Sequence, residues 1–172
     1  MPILTSGFAV LYNRHCGGMT MRKNITSILF VCHGNICRSP MAEFVMKDLL
    51  KKESIDIKIE SAATSTEAIG CRVHRGTREK LAEYGISTEG KFAVQMTKDD
   101  YNKYDLIVVM DELNMKNIFR IIESDPENKV RKLLSFAGLD KDVADPWYTD
   151  NFDETYEDIL TGCRAILKNL KL

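Results

Sequence analysis

An apolar run, Ile28–Val31, leads into Cys32-His33-Gly34-Asn35-Ile36-Cys37-Arg38-Ser39-Pro40, and an apolar-periodic segment follows. No other stretch constrains the chain so closely. It reads as a buried strand, a tight loop and a helix beginning at Pro40. A nucleophile, Cys32, stands at one end of the loop, and a permanent cation, Arg38, stands six positions on.

The physics of that arrangement favours an anion. A helix N-terminus carries unpaired N–H groups and partial positive charge. A short loop curling into it aims further N–H groups at the same point. Arg38 adds a planar fork that grips two oxygens of a phosphate. Cys32 sits in that field, which favours the thiolate, its reactive form. Gly34 allows close backbone approach or a positive φ, and Asn35 tolerates the left-handed region. Ser39 and Pro40 suit the N-cap and first helical positions, and the Ser39 hydroxyl can donate to the Cys32 sulfur.

Plainer readings exist for the same residues. A cysteine after an apolar strand is ordinarily a small buried hydrophobe. Cys32, His33 and Cys37, with His15 and Cys16, offer zinc-type ligands, but the paired C-x2-C spacing of structural zinc sites is missing, so no metal is expected. A Cys32–Cys37 redox pair is compatible with phosphate binding.

Taken with its neighbours, the loop resembles the signature of the low-molecular-weight protein tyrosine phosphatases. The likeness continues in Ser61-Ala62-Ala63-Thr64-Ser65, Met110-Asp111-Glu112-Leu113-Asn114 and Asp145-Pro146-Trp147-Tyr148. It runs from about Ile25 to the C-terminus, so residues 25–172 are expected to form one phosphatase domain. Residues 1–24 then form an N-terminal extension, either a flexible tail or an artefact of start-site choice. Their short apolar stretch, Phe8–Leu11, is too short for a signal peptide's apolar region.

The rest of the pattern agrees with an α/β fold. Met41, Phe44, Val45 and Leu49 recur at helical spacing. Ile55, Ile57 and Ile59 alternate with polar residues, a strand pattern. Val73, Thr77, Leu81 and Tyr84 share a helix face closed by Gly85. Phe92–Met96 suggests a short strand, and Thr97 with Asp100 a capping arrangement. Leu106–Met110 is a continuous apolar run, the mark of a strand covered on both faces. Asn114–Glu123 reads as helix, Lys132–Phe136 as an element of undecided type, and the chain from Phe152 as a long amphipathic helix. Alternating strands and helices imply a parallel sheet with helices on both faces and catalytic loops at the carboxyl ends of the strands. The resemblance implies a single-domain, doubly wound sheet of four parallel strands.

Composition narrows the function classes. A formal net charge of −1 gives no bulk attraction to nucleic acid or to an acidic membrane. The sequence holds five cysteines, an odd number that does not suggest a secreted disulfide framework. A reducing cytoplasm suits a thiolate enzyme, and no apolar run is long enough to span a bilayer.

The family resemblance implies hydrolysis of phosphotyrosine in proteins, and of small aryl phosphates, through a phosphocysteine. It makes Cys32 the nucleophile, Arg38 and the loop residues His33, Gly34, Asn35, Ile36, Cys37 and Ser39 the phosphate cradle, and Asp145 the general acid and base. Asp-Pro starts a turn from which the Asp145 carboxyl can project, although a lone Asp-Pro is an ordinary turn. Trp147 and Tyr148 would wall the cleft beside an aryl group or pack the base of the loop. Asp111 reads by itself as the N-cap of the next helix, and the resemblance places it near the site, where it fixes either the arginine or a neighbouring loop. Asn35, Ser39 and Ser61 match positions of a hydrogen-bond network behind the loop. Cys37 matches a second loop cysteine that can close a protective disulfide. No cofactor is implied.

Three positions depart from the best-known members. His33 stands where an aliphatic residue is common, Glu67 where many members carry an aromatic wall, and Lys91 where some carry a histidine that supports the loop asparagine. An acidic wall at Glu67 should disfavour acidic sequences around phosphotyrosine. His74 has no evident role and reads as a surface helix residue. Expected partners are phosphotyrosyl proteins, a tyrosine kinase among them, with affinity for phosphate and similar oxyanions. Rival readings on the same loop are a protein-arginine phosphatase, where a threonine is common at the Ile36 position, and an arsenate reductase, which needs a close cysteine pair that Cys71 and Cys163 do not form in sequence. Outside enzymes, a phosphate-binding adaptor remains, although it has no need of Cys32, Arg38 and Asp145 together.

Overall fold

The computed structural model describes residues 24–170. Its centre is a sheet of four parallel strands in the order β2-β1-β3-β4. They are β1 (Ser27–Cys32), β2 (Lys58–Ala63), β3 (Leu106–Val109) and β4 (Val130–Lys132). Register runs Cys32 against Ala63, Val31 against Val109 and Val109 against Lys132, which lines up the carboxyl ends of all four strands. The proposed extension, residues 1–24, lies almost wholly outside the described residues.

Alternation along β1 explains the layering. Ile28, Phe30 and Cys32 face α1 (Arg38–Lys52) and α6 (Phe152–Leu170), where Met41, Val45, Met46, Ile159, Cys163 and Ile166 complete one core. Leu29 and Val31 point the other way and join Ile107 and Val109. There they meet α3 (Asp100–Lys103) and α4 (Glu112–Ile122) through Tyr101, Ile118 and Ile122. Both faces of the sheet are therefore covered, as the continuous apolar runs of β1 and β3 require.

Several boundaries differ from the sequence expectations. The helix after the loop starts at Arg38, two residues before Pro40, with Cys37 rather than Ser39 at the N-cap position. The second strand starts at Lys58, because it pairs with β1 only from Ser27 onward. Ile55 and Ile57 pack against the core edge instead. Helix α2 (Arg75–Ala82) ends before Tyr84, whose ring lies stacked on Tyr156 at 4.3 Å. Phe92–Met96 forms no strand; it makes isolated bridges, Ala63 with Gln95 and Arg72 with Phe92. The undecided segment divides into β4 and a 3-10 turn, Leu133–Ala137. Thr97 does donate to Asp100, through its N–H at 2.7 Å and its hydroxyl at 3.0 Å.

Candidate active site

The loop after β1 leaves the sheet at Cys32 and enters α1 at Arg38, so it lies at the carboxyl edge. Asn35 takes the left-handed conformation, φ 55°. Gly34 does not, and a Cβ there would meet only ordinary contacts at 3.7 and 3.8 Å. The turn of the loop is thus made by the asparagine, whose side chain has work that a glycine could not do.

That work is a chain of hydrogen bonds whose direction can be deduced. Val94 N–H donates to Asn35 Oδ1 at 3.1 Å, which fixes the orientation of the amide. Asn35 Nδ2 then has two protons to give. One goes to Ser39 Oγ at 2.8 Å and one to Ser61 Oγ at 2.9 Å. Ser61 passes its own proton to Glu43 Oε2 at 2.5 Å. Ser39 Oγ, already accepting from Asn35, also accepts from the Cys32 thiol at 3.1 Å and points its own proton at Ala62 O, 3.4 Å away; with Cys32 as a thiolate that hydroxyl can turn to the sulfur instead. Asn35 N–H donates to the same sulfur at 3.3 Å. Asn35, Ser39, Ser61 and Glu43 are all buried, so each unmade bond would carry a desolvation cost. This explains why Ser39 does not cap the helix.

Glu43 is an anion in the interior, and two cations answer it. Lys47 Nζ lies 2.5 Å from Oε1 and Lys91 Nζ 3.2 Å from Oε2. Lys91 also donates to the Ser61 carbonyl at 2.8 Å. It therefore supports the loop through Glu43 and Ser61 and makes no direct bond to Asn35.

Arg38 is buried, and its fork holds two carboxylates. Nη1 is 2.6 Å from Asp111 Oδ2, and Nη2 is 2.6 Å from Asp145 Oδ2. Each aspartate spends its other oxygen on a helix start. Asp111 Oδ1 accepts from Asn114 N–H at 2.6 Å and caps α4. Asp145 Oδ1 accepts from Trp147 N–H at 3.1 Å and caps the single-turn helix α5 (Pro146–Thr149). Asp111 thus caps α4 with one oxygen and pairs with Arg38 through the other. Burial works against the Arg38 charge, but Cys32, Asp145 and Asp111 outweigh it and hold the guanidinium above its ordinary value.

The second loop cysteine sits in a different field. Burial, and then the neighbouring Cys32 and Asp145, pushes the Cys37 thiol up to about 12. The Thr77 side chain opposes that rise without cancelling it, whereas Cys32 receives the Asn35 N–H at 3.3 Å. Around the rim, His33 Nε2 meets Glu67 Oε2 at 3.0 Å, and both side chains are substantially exposed. Trp147 and Tyr148 are exposed at 65% and 84%. The backbone ties this rim to the loop, with Thr64 N–H donating to Cys32 O at 2.9 Å and Ser65 N–H to His33 O at 3.0 Å.

Residues 27–172 match the family model described as low molecular weight phosphotyrosine protein phosphatase. The chain belongs to that family. It is 39% identical over 149 residues to the low molecular weight protein-tyrosine-phosphatase YfkJ of Bacillus subtilis, covering 84% of this chain and 96% of that one. It is 38% identical over 145 residues to the Staphylococcus aureus phosphatase PtpA, covering 83% and 92%. The crystal structure of YfkJ superposes with a TM-score of 0.82 over 88% of this chain and 98% of its own. That of the Streptococcus pyogenes low molecular weight protein tyrosine phosphatase, 39% identical, gives 0.76 over 85% and 93%.

Within the family fold, the structure brings Cys32, Arg38, Asp111 and Asp145 together from three separate places in the chain. Sequence reasoning missed Glu43, because a glutamate in a helix reads as a solvated face. It also misplaced His74, which is no surface helix residue. His74 precedes α2, where its Nδ1 accepts from Gly76 N–H at 3.1 Å. Its ring is stacked on Phe152, with centroids 5.3 Å apart. Among the described residues there is no cluster of His, Cys, Asp and Glu able to hold a metal, and no helix long and apolar enough to cross a membrane.

Proposed function

We propose that this protein is a protein-tyrosine phosphatase that works through a phosphocysteine. The observation that carries the reading is convergence. A buried guanidinium beside the Cys32 sulfur also holds the Asp145 carboxylate, at the N-terminus of a long helix.

The roles follow from charge and reach. The loop N–H groups and Arg38 hold the phosphate dianion and favour the charge distribution of in-line transfer. The Cys32 thiolate attacks phosphorus; the S–P bond forms and the P–O bond to the aryl group breaks. When the phosphate takes the Arg38 fork, Asp145 is released from the ion pair, takes up a proton from solvent and delivers it to the departing phenolate oxygen. It then takes a proton from the water that attacks the phosphocysteine, so that the S–P bond breaks and inorganic phosphate and the thiolate are released. Asn35, Ser39, Ser61 and Asp111 shape the loop and fix Arg38. Trp147, Tyr148, His33 and Glu67 border the entrance. Residues 25–172 form the catalytic domain, and phosphotyrosyl proteins, including a tyrosine kinase, are the substrates. A reducing cytoplasm supports the thiolate. There, peroxide would oxidise Cys32 to a sulfenic acid, and the Cys37 thiol would displace water from it to close a reversible disulfide.

The test is hydrolysis of para-nitrophenyl phosphate with chelator present. Activity should vanish in Cys32→Ser and fall about 10²–10⁴-fold in Asp145→Asn. Phosphotyrosine peptides should then be cleaved in preference to phosphoarginine peptides. Preference for phosphoarginine would move the assignment to an arginine phosphatase. A folded, reduced wild type without activity would bring forward the reductase or adaptor readings.

A further inference from the structure

We propose that His74 is a positioning residue for the acid loop. Its ring is the surface against which Trp147, and through it Asp145, is set. This rests on the reading of Asp145 as general acid.

The orientation of His74 is fixed from several sides. Its backbone N–H donates to the Ile36 carbonyl of the phosphate loop at 2.8 Å. Its Nδ1 accepts from Gly76 N–H, which places the ring proton of the neutral form on Nε2. Phe152, at the start of α6, lies nearly parallel to the ring, at 8°. Gly76 makes that approach possible, because a Cβ there would stand 2.3–2.7 Å from three Phe152 ring atoms. On its remaining side the imidazole meets the Trp147 ring edge-on, with centroids 6.2 Å apart at 75°. Both geometries are favourable for aromatic pairs.

The acid loop has need of such a contact. Of the four residues of α5, Pro146 alone is buried. Before Asp145 the chain is well tied, with Ala144 N–H donating to Asp158 at 3.0 Å and Thr155 Oγ1 donating to Ala144 O at 2.9 Å. At Asp145 itself the tie is the ion pair with Arg38, a group that must also grip phosphate. After Asp145 comes Trp147, whose backbone N–H holds Asp145 Oδ1. A ring seated on His74 therefore keeps the carboxyl at a set distance from the phosphate loop, because His74 is itself bonded to that loop.

Two substitutions separate the ring from the helix cap. His74→Asn keeps an acceptor for Gly76 N–H and loses the ring. His74→Phe keeps the ring and loses the acceptor. The first readout is kcat/KM for phenyl phosphate against para-nitrophenyl phosphate, since the poorer leaving group depends more on the acid. The second is the fluorescence anisotropy of Trp147, the sole tryptophan of the sequence. His74→Asn should lose roughly tenfold on phenyl phosphate and far less on para-nitrophenyl phosphate, with lower Trp147 anisotropy. His74→Phe should restore both readouts while melting lower. Phe152→Leu, which removes the stacking partner, should shift both in the direction of His74→Asn. The proposal is overturned if a folded His74→Asn keeps the wild-type substrate ratio, or if Asn and Phe lower it equally. Asp145→Asn, run alongside, separates the two failures. If it too leaves the ratio unchanged, the acid assignment falls. If it changes the ratio and His74→Asn does not, only the role of His74 falls.

Discussion

Arg38 Nη2 lies 2.6 Å from Asp145 Oδ2, and the other arm of the same guanidinium is equally close to Asp111. Two carboxylates thus share one buried cation, but they do different work. Asp111 is held from β3 and α4, which are core elements, whereas Asp145 sits on a single exposed turn. The Asp111 bond is the permanent one, and it sets the plane of the fork. Asp111→Asn should keep the α4 cap, because an amide oxygen accepts as well as a carboxylate one. It removes the charge from a partly exposed pair, so a loss of about 1–3 kcal/mol is expected. Phosphate affinity should fall alongside, since the fork is no longer oriented. Urea unfolding and inhibition by inorganic phosphate measure the two effects.

Asn35 combines a left-handed backbone with four hydrogen bonds, and two substitutions take these apart. Asn35→Gly keeps the backbone conformation at no steric cost and removes the side chain. Asn35→Ala removes the side chain and adds left-handed strain. Both should lose activity by a similar large factor, because Ser39 and Ser61 lose their donor. Asn35→Ala should be the less stable of the two by about 1 kcal/mol. Equal activity of wild type and Asn35→Gly would show that loop shape needs no amide.

Thiol chemistry should be uneven. Cys37, pushed up to about 12, stays a thiol at neutral pH and is buried besides. Cys163 is pushed up by burial alone. Iodoacetamide at neutral pH should therefore alkylate Cys32 with loss of activity, and inorganic phosphate should protect it. Exposed Cys71 should label without loss of activity, and Cys37 and Cys163 should not label until the protein unfolds. Peptide mapping after timed alkylation reads all four.

Much of this was legible in the sequence. The apolar runs of β1 and β3 and the long period of α6 located those elements, because burial on both faces, or on one helical stripe, leaves a plain pattern. The loop residues announced their chemistry because thiol, guanidinium and helix start lie within a few positions. Other features depended on tertiary partners. Ile55 and Ile57 alternate like a strand, yet no strand is available to pair there before Lys58. Lys132–Phe136 could not be typed from its pattern, because it straddles β4, three residues long and defined by its pairing with β3, and the 3-10 turn that Lys132 opens. Glu43 and His74 carry little local signal, since Ser61 and Lys91 for the one, and Ile36, Trp147 and Phe152 for the other, lie far along the chain.

Acid should destabilise the fold through identifiable carboxylates. Burial raises Glu60, but the Tyr104 hydroxyl and Lys58 outweigh it, leaving it below its ordinary value. Asp100 is likewise lowered on balance, because the Thr97 N–H, Lys103 and the Thr97 hydroxyl outweigh its burial. A carboxyl depressed in the folded state contributes stability above its unfolded value. That contribution is lost as pH falls through the folded one. Stability should therefore decline as pH drops below about 4.5, near the ordinary glutamate value. The decline should be shallower in Glu60→Gln and Asp100→Asn than in wild type. Urea midpoints at a series of pH values test it.

The rim offers a prediction about selection among substrates. Glu67 is exposed at 75% and borders the loop through His33, whose Nε2 lies 3.0 Å away. An exposed pair contributes little to stability, so its consequence is sought in the field at the entrance. When His33 is neutral, Glu67 leaves an uncompensated negative charge there, facing a dianionic substrate. Acidic residues flanking phosphotyrosine add to that repulsion, and basic ones relieve it. Glu67→Gln should raise kcat/KM for a peptide with acidic flanks by about threefold to tenfold, while a peptide with basic flanks gains little or loses. The difference should act mainly through KM, because the substitution leaves Cys32, Arg38 and Asp145 untouched. It should shrink as salt rises from about 0.05 to 0.5 M, since the charges are solvated and the screening length falls below their separation. Equal gains for both peptides at all ionic strengths would mean that Glu67 acts by its bulk at the entrance and not by its charge.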